Sequence, residues 1–206
     1  MQANQADAAH VSQLVARARQ GDREAFDGLV ELYTPRIFGL ALRITGSREE
    51  AEDCVQEAMV RAFSALHSFR GEAAFSTWLY RVAVNVANDA ARSRSRQPLP
   101  ASDLANPDSQ DEAPELDRLA QPGTSDVNPP ERALLRQQRR ECLLAAIRAL
   151  PEHHRTVIIL YDLHDLSYDQ IARITKTRVG TVKSRLNRAR LALKDLLSPH
   201  MELLRE

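Results

Sequence analysis

Aromatic side chains are scarce, at 5% of the 206 residues, and glycine is scarcer still with 7. With 43% apolar and 27% charged residues a core can still form, and this balance suits a helical protein. No strand periodicity or internal repeat competes with an all-α reading. Cysteine is limited to Cys54 and Cys142, both among Ala, Leu and Val on apolar helix faces. Two buried thiols are expected rather than a disulfide framework. Residues 1–10 lack the apolar core of a signal peptide, and no later apolar run reaches membrane-spanning length. The expectation is a cytoplasmic protein with no direct membrane insertion. Also missing are H-E-x-x-H, C-x-x-C and a phosphate-binding Gly-rich loop. A helical metalloenzyme using His153, His154 and His164 is the alternative from the enzyme class. Paired surface histidines account for them more simply, so no catalytic residue, metal or cofactor is expected.

Net charge is lacking too, at +0, which would argue against nucleic-acid binding if the charge were evenly spread. It is not. Through residue 96 acids and bases cancel. Residues 97–130 carry Asp103, Asp108, Asp111, Glu112, Glu115, Asp117 and Asp126 against Arg118 alone. Residues 171–194 carry Arg173, Lys176, Arg178, Lys183, Arg185, Arg188, Arg190 and Lys194 with no acid at all. That polarity is expected of a phosphate-facing surface.

The chain divides accordingly into domains at 1–96 and 131–206, with a tether at 97–130. In the first, Val11, Leu14, Val15 and Ala18 start a helical stripe that Gly21-Asp22 breaks and restarts. Phe26, Leu29, Val30 and Tyr33 repeat it. Thr34-Pro35 opens a further segment carrying Ile37, Leu40, Ala41 and Ile44, ended by Gly46. Ser47 and Glu50 have capping-box spacing before a helix with Ala51, Cys54, Val55, Ala58, Met59, Ala62 and Leu66 on one face. After a loop, Phe75, Trp78, Leu79, Val82 and Val86 form another stripe, which makes Phe75 and Trp78 core candidates; Phe63 is ambiguous. The tether holds Pro at 98, 100, 107, 114, 122, 129 and 130 and no periodicity, the signature of a disordered linker. As a coil it would average roughly 30 Å end to end and could stretch to about 110 Å.

In the second domain a stripe of Leu135, Cys142, Leu143, Ala146, Ile147 and Leu150 is closed by Pro151. Val157, Ile158 and Tyr161 follow. Ser167 and Gln170 form a second capping box before Ile171, Ala172 and Ile174. A turn at Thr175, Lys176 and Thr177 leads to a helix whose inward positions are Val179, Val182 and Leu186, leaving Lys183, Asn187 and Arg190 opposite. A capped short helix, a turn and a longer basic helix make a helix-turn-helix over 166–194, the geometry that seats the second helix in the major groove of duplex DNA. The turn lacks the glycine often found there, while Ala172 permits close helix contact. Lys183, Ser184, Asn187 and Arg188 suit base-edge contacts, and Arg173 and Arg178 phosphate contacts. A solvated face on a helical hairpin is the bland alternative; the absence of any acid weighs against it.

Phrases from both halves resemble the extracytoplasmic-function sigma factors of the sigma-70 superfamily. They are Gly21-Asp22-Arg23-Glu24-Ala25-Phe26, Ala51-Glu52-Asp53-Cys54-Val55-Gln56-Glu57, Ser68-Phe69-Arg70-Gly71 and Phe75 through Asn85. In the second half they are Leu150-Pro151-Glu152, Leu166 through Ala172 and Val179 through Arg190. The resemblance implies two small helical domains, a region 2 bundle and a region 4 helix-turn-helix, joined by the disordered linker. It also implies core RNA polymerase as partner, through its β′ clamp and β flap, together with promoter DNA and an anti-sigma factor. Asp53, Gln56 and Glu57 would meet the β′ clamp helices. The loop 69–74 and the following helix would read the −10 element with Phe69, Arg70, Arg81, Asn85, Asn88 and Arg92, aromatic and cationic groups fit to hold unpaired bases. Arg173, Arg178, Lys183, Ser184, Asn187, Arg188 and Arg190 would serve the −35 element. The linker acids would thread the polymerase channel later occupied by RNA. The other reading left open is a helix-turn-helix regulator acting without polymerase, which predicts tight duplex binding and a palindromic target.

Overall fold

A computed structural model describes residues 2–71, 73–96 and 130–201. The segment 97–129, most of the expected linker, lies outside the described residues, as does Glu72.

Helix α1 (Gln2–Arg19) buries Leu14, Val15 and Ala18. Gly21 then takes a left-handed φ of 93°, and Asp22 caps α2 (Arg23–Thr45) by accepting the Ala25 N–H at 3.1 Å. That bond, reinforced by the Arg17 guanidinium at 2.7 Å, holds the Asp22 carboxyl below the ordinary carboxylate range.

Pro35 does not open a new helix as its position led one to expect; it sits inside α2. The reason is packing. Leu29, Tyr33, Ile37, Leu40 and Ile44 form one unbroken buried stripe across it, and burying each large side chain contributes about 1.5–3 kcal/mol. Together these offset the roughly 3 kcal/mol an interior proline costs. Gly46 ends the helix at φ 79°, its N–H on Leu42 O at 2.9 Å.

Helix α3 (Arg48–Ala65) starts at Ser47, whose hydroxyl accepts the Glu50 N–H at 3.3 Å. The second half of the expected box is not made: the Glu50 carboxylate turns to Arg94 at 3.5 Å. A 3-10 turn (Leu66–Ser68) leads to α4 (Phe75–Arg96). Helix α2 packs against α1, α3 and α4.

In the second half, α5 (Pro130–Ala149) and α6 (Glu152–Ile158) flank Pro151, and a π-helical turn (Ile159–Leu163) follows α6. Among the described side chains of α5 the buried ones are Ala146 and Ile147, near its end; Leu135 is 37% exposed and Cys142 half-buried. Two buried thiols thus become one: Cys54, whose thiol burial pushes up to about 11. Helix α7 (Tyr168–Thr175) carries the complete Ser167–Gln170 capping box. Helix α8 (Val179–Leu197) packs on α5, α6 and α7.

The two halves share one continuous core, because α7 packs on α4 and α5 on α2. Arg155 donates to Ile44 O and Leu150 O, both at 3.1 Å, Asn88 donates to Thr156 Oγ1 at 3.3 Å, and Arg92 meets Glu152 at 2.9 Å. A Cβ on Gly46 would come within 2.5 Å of Arg148 Cδ.

Between α7 and α8, where glycine is missing, Lys176 adopts the left-handed conformation at φ 52°. A non-glycine residue there costs roughly 1–2 kcal/mol, against about 1 kcal/mol of chain entropy for glycine. Lys176→Gly should therefore raise the melting temperature by up to about 3 °C, read by thermal denaturation. A fall would show that the lysine makes a compensating contact.

Candidate nucleic-acid and polymerase interfaces

Three surfaces carry the expected residues. On α8, Val182, Leu186 and Ala189 are buried while Lys183, Ser184, Asn187 and Arg188 are exposed. The helical period thus sorts one face to the core and a polar, cationic face to solvent. Arg173 and Arg178 are exposed beside it. Arg190 is exposed but committed, since its guanidinium bonds both oxygens of Asp162 and lies 5.3 Å from the Tyr161 ring centroid. Ser184 spends its hydroxyl proton on Thr181 O at 3.0 Å, keeping the oxygen as an acceptor.

The second surface is the loop before α4 and the helix itself. A cavity of about 550 Å³ is lined by Phe69, Arg70, Gly71, Trp78, Arg81 and Arg173. Phe69 forms part of its wall but is itself buried, 5.9 Å from Phe75 and 5.2 Å from Trp78 between ring centroids. Arg70 and Asn85 are exposed and Arg81 half-buried. Asn88 is 8% exposed and engaged by Thr156, and Arg92 pairs with Glu152 and Asp89. Four of the six residues, Phe69, Arg70, Arg81 and Asn85, therefore lie at or near one cavity or on open helix surface. The other two are covered or paired by the second half of the molecule.

The third surface is the outer face of α3. Asp53, Gln56 and Glu57 are all exposed, with Glu57 paired to Arg61 at 2.6 Å. Sequence reading missed one apolar companion, Val60, which is 61% exposed and continues the same i, i+3, i+4, i+7 row; Phe63, left ambiguous there, is 49% exposed with its edge on Phe26 at 4.9 Å. A valine off the buried stripe was the available signal.

The histidines do not share one place. His153 and His154 contact each other at 4.3 Å, whereas His164 packs on Tyr80 at 5.5 Å. Among the described residues no group of three or more metal-ligating side chains converges, and no helix is long and apolar enough to cross a membrane.

Residues 29–97 match the Sigma-70 region 2 family and residues 140–193 the Sigma-70, region 4 family. The chain is 43% identical over 194 residues to the RNA polymerase sigma-H factor of Pseudomonas aeruginosa, covering 94% of this chain and 95% of that protein. It is 39% identical over 187 residues to the ECF RNA polymerase sigma-E factor of Escherichia coli K12, covering 90% and 93%. Its fold is similar to CnrH in complex with the cytosolic domain of CnrY, with a TM-score of 0.64 and 25% identity over 92% of this chain and 98% of that one. It is also similar to the sigma factor RpoE in complex with the anti-sigma factor NepR from Bartonella quintana, with a TM-score of 0.59 and 27% identity over 84% and 96%. With helices, order and sequence in agreement along nearly its whole length, the chain belongs to the sigma-70 family, among its extracytoplasmic-function (ECF) sigma factors.

Proposed function

We propose that this chain directs core RNA polymerase to promoters by dividing three tasks among three surfaces. The α3 row of Asp53, Gln56 and Glu57, extended by Val60, docks on the polymerase clamp. The cavity by Trp78, with Arg70, Arg81 and Asn85, takes an unpaired base of the −10 strand and tracks its backbone. Lys183, Ser184, Asn187 and Arg188 read the −35 element, with Arg173 and Arg178 on phosphates. The observation that carries this reading is α8, a helix buried on one side whose exposed polar side carries no acid from Val179 to Lys194. Residues 1–96 and 131–206 are the two working units, acting in the cytoplasm. The chain supplies binding energy and the polymerase the bond chemistry. An anti-sigma factor is the natural regulator, in line with the complex of the Bartonella quintana sigma factor RpoE with the anti-sigma factor NepR.

The described conformation does not suit a promoter. Arg173 shares a cavity with Arg70 and Arg81, whereas elements at −35 and −10 lie on the order of 85 Å apart at about 3.4 Å per base pair. The halves must separate to engage both, and a segment able to extend to about 110 Å permits it.

Run-off transcription with purified core polymerase and a promoter-bearing template tests the proposal. A discrete promoter-dependent product only when the protein is added is the expected result. Tight binding to a palindromic duplex with no transcript would support the polymerase-independent regulator instead.

A further inference from the structure

Tyr161 and Tyr168 come from different elements, the π-helical turn and the first residue of α7. Their rings lie parallel within 8°, with centroids 4.9 Å apart, an offset stack of the favourable kind. Each ring also carries a cation from α8: Lys183 Nζ is 5.5 Å from the Tyr168 centroid and the Arg190 guanidinium 5.3 Å from that of Tyr161. Residues 183 and 190 are two helical turns apart, about 10.5 Å along one face. The stack therefore meets α8 at two points of a single face.

The two cations differ in what else they touch. Arg190 is bound by the Asp162 carboxylate, so its charge is largely spent inside the protein. Lys183 is exposed and, among the described residues, makes no ion pair. A ring face attracts an ammonium without neutralising it and leaves its N–H donors free to point outward. A lysine so held gives up less freedom on meeting a base edge or a phosphate than one moving in solvent.

We propose that Tyr168 is a positioning residue for DNA reading: it holds the Lys183 ammonium at the groove-facing side of α8, and Arg190, Asp162 and Tyr161 anchor the stack that orients it. Arg190 then acts as an anchor rather than a direct contact. This inference rests on the −35 role assigned to α8.

The test uses the full-length protein, whose α8 face is open even with the halves packed. The wild type first enriches duplexes from a library randomised over six base pairs. A fluorescein-labelled 20-base-pair duplex of the selected sequence is then titrated by anisotropy. Tyr168→Leu should weaken binding about 2- to 5-fold, the size of an exposed cation–π contact, and relax selectivity at the same base position as Lys183→Met. Tyr168→Phe should retain both affinity and selectivity. In a Lys183→Met background, Tyr168→Leu should add no further loss. Should the leucine variant melt early, Tyr168→Met carries the same comparison. Equal losses in both backgrounds would overturn the inference, as would a phenylalanine variant as weak as leucine, because the ring face and not the hydroxyl is what holds the ammonium. A wild type that enriches no sequence would instead remove the −35 role on which the inference stands.

Discussion

Replacing Lys183 and Arg188 together by glutamate should reduce promoter-directed transcription at least about 100-fold, since each base-edge contact contributes roughly 1–3 kcal/mol and the new carboxylates also repel phosphate. Both side chains are exposed, and the residues that hold α8 in place, Val182, Leu186 and Ala189, are untouched. The fold should therefore survive, with a melting temperature close to that of the wild type. Core polymerase should still be bound, because the α3 row proposed to dock on it lies on a different helix. Co-elution of the variant with core polymerase, combined with loss of run-off product, is the expected pair of results. Transcription within threefold of wild type would show that α8 does not read the promoter. Asn187→Ala should act more narrowly, weakening discrimination at one base position.

The recognition helix was legible in the sequence because its two faces differ in both apolarity and charge; periodicity alone locates Val182 and Leu186, and the missing acids mark the other side. The surfaces proposed for the −10 strand and the clamp were suggested mainly by resemblance to a family, since exposed Asp53 or Arg70 looks like any solvated residue until a partner is known. What could not be read was the contact between the halves. As a lone amphipathic helix α4 needs one apolar stripe, yet Tyr80, Ala83, Val84, Ala87 and Asn88 are buried alongside Phe75, Leu79 and Val86. Small residues and an asparagine carry little local signal; their burial follows from tertiary packing of α7 and α6, far along the chain. The same limit explains Arg190, whose basic character implied DNA but whose Asp162 partner lies 28 residues away, and Pro35, where local breaking tendency lost to a continuous core.

Lowering the pH from 7.5 to 5 should loosen the packing of the two halves, with His164 as the responsive group. Its Nδ1 lies 3.3 Å from the Tyr80 hydroxyl of α4, and its Nε2 is buried with no partner. Burial first, then the Arg43 and Arg36 guanidiniums of α2, lower its pKa from 6.5 to about 4; Arg140 of α5 stands beside Arg43 in turn. Freed from these neighbours in a separated molecule, the imidazole regains a value near 6.5. The packed state thus binds fewer protons. Its advantage is complete above pH 6.5 and is lost as the pH falls from there toward 4, amounting to a factor of about 30 at pH 5, or roughly 2 kcal/mol. Small-angle scattering should show an increased radius of gyration at pH 5 while far-UV circular dichroism keeps its helical signal, and His164→Gln should remove the pH dependence. A radius constant between pH 7.5 and 5, or equal expansion in the glutamine variant, would assign the packing to other groups. Because Asn88 lies under Thr156, the expanded form should also bind a labelled single-stranded −10 oligonucleotide more tightly, linking the protonation of one interface histidine to exposure of the helix proposed to hold the strand.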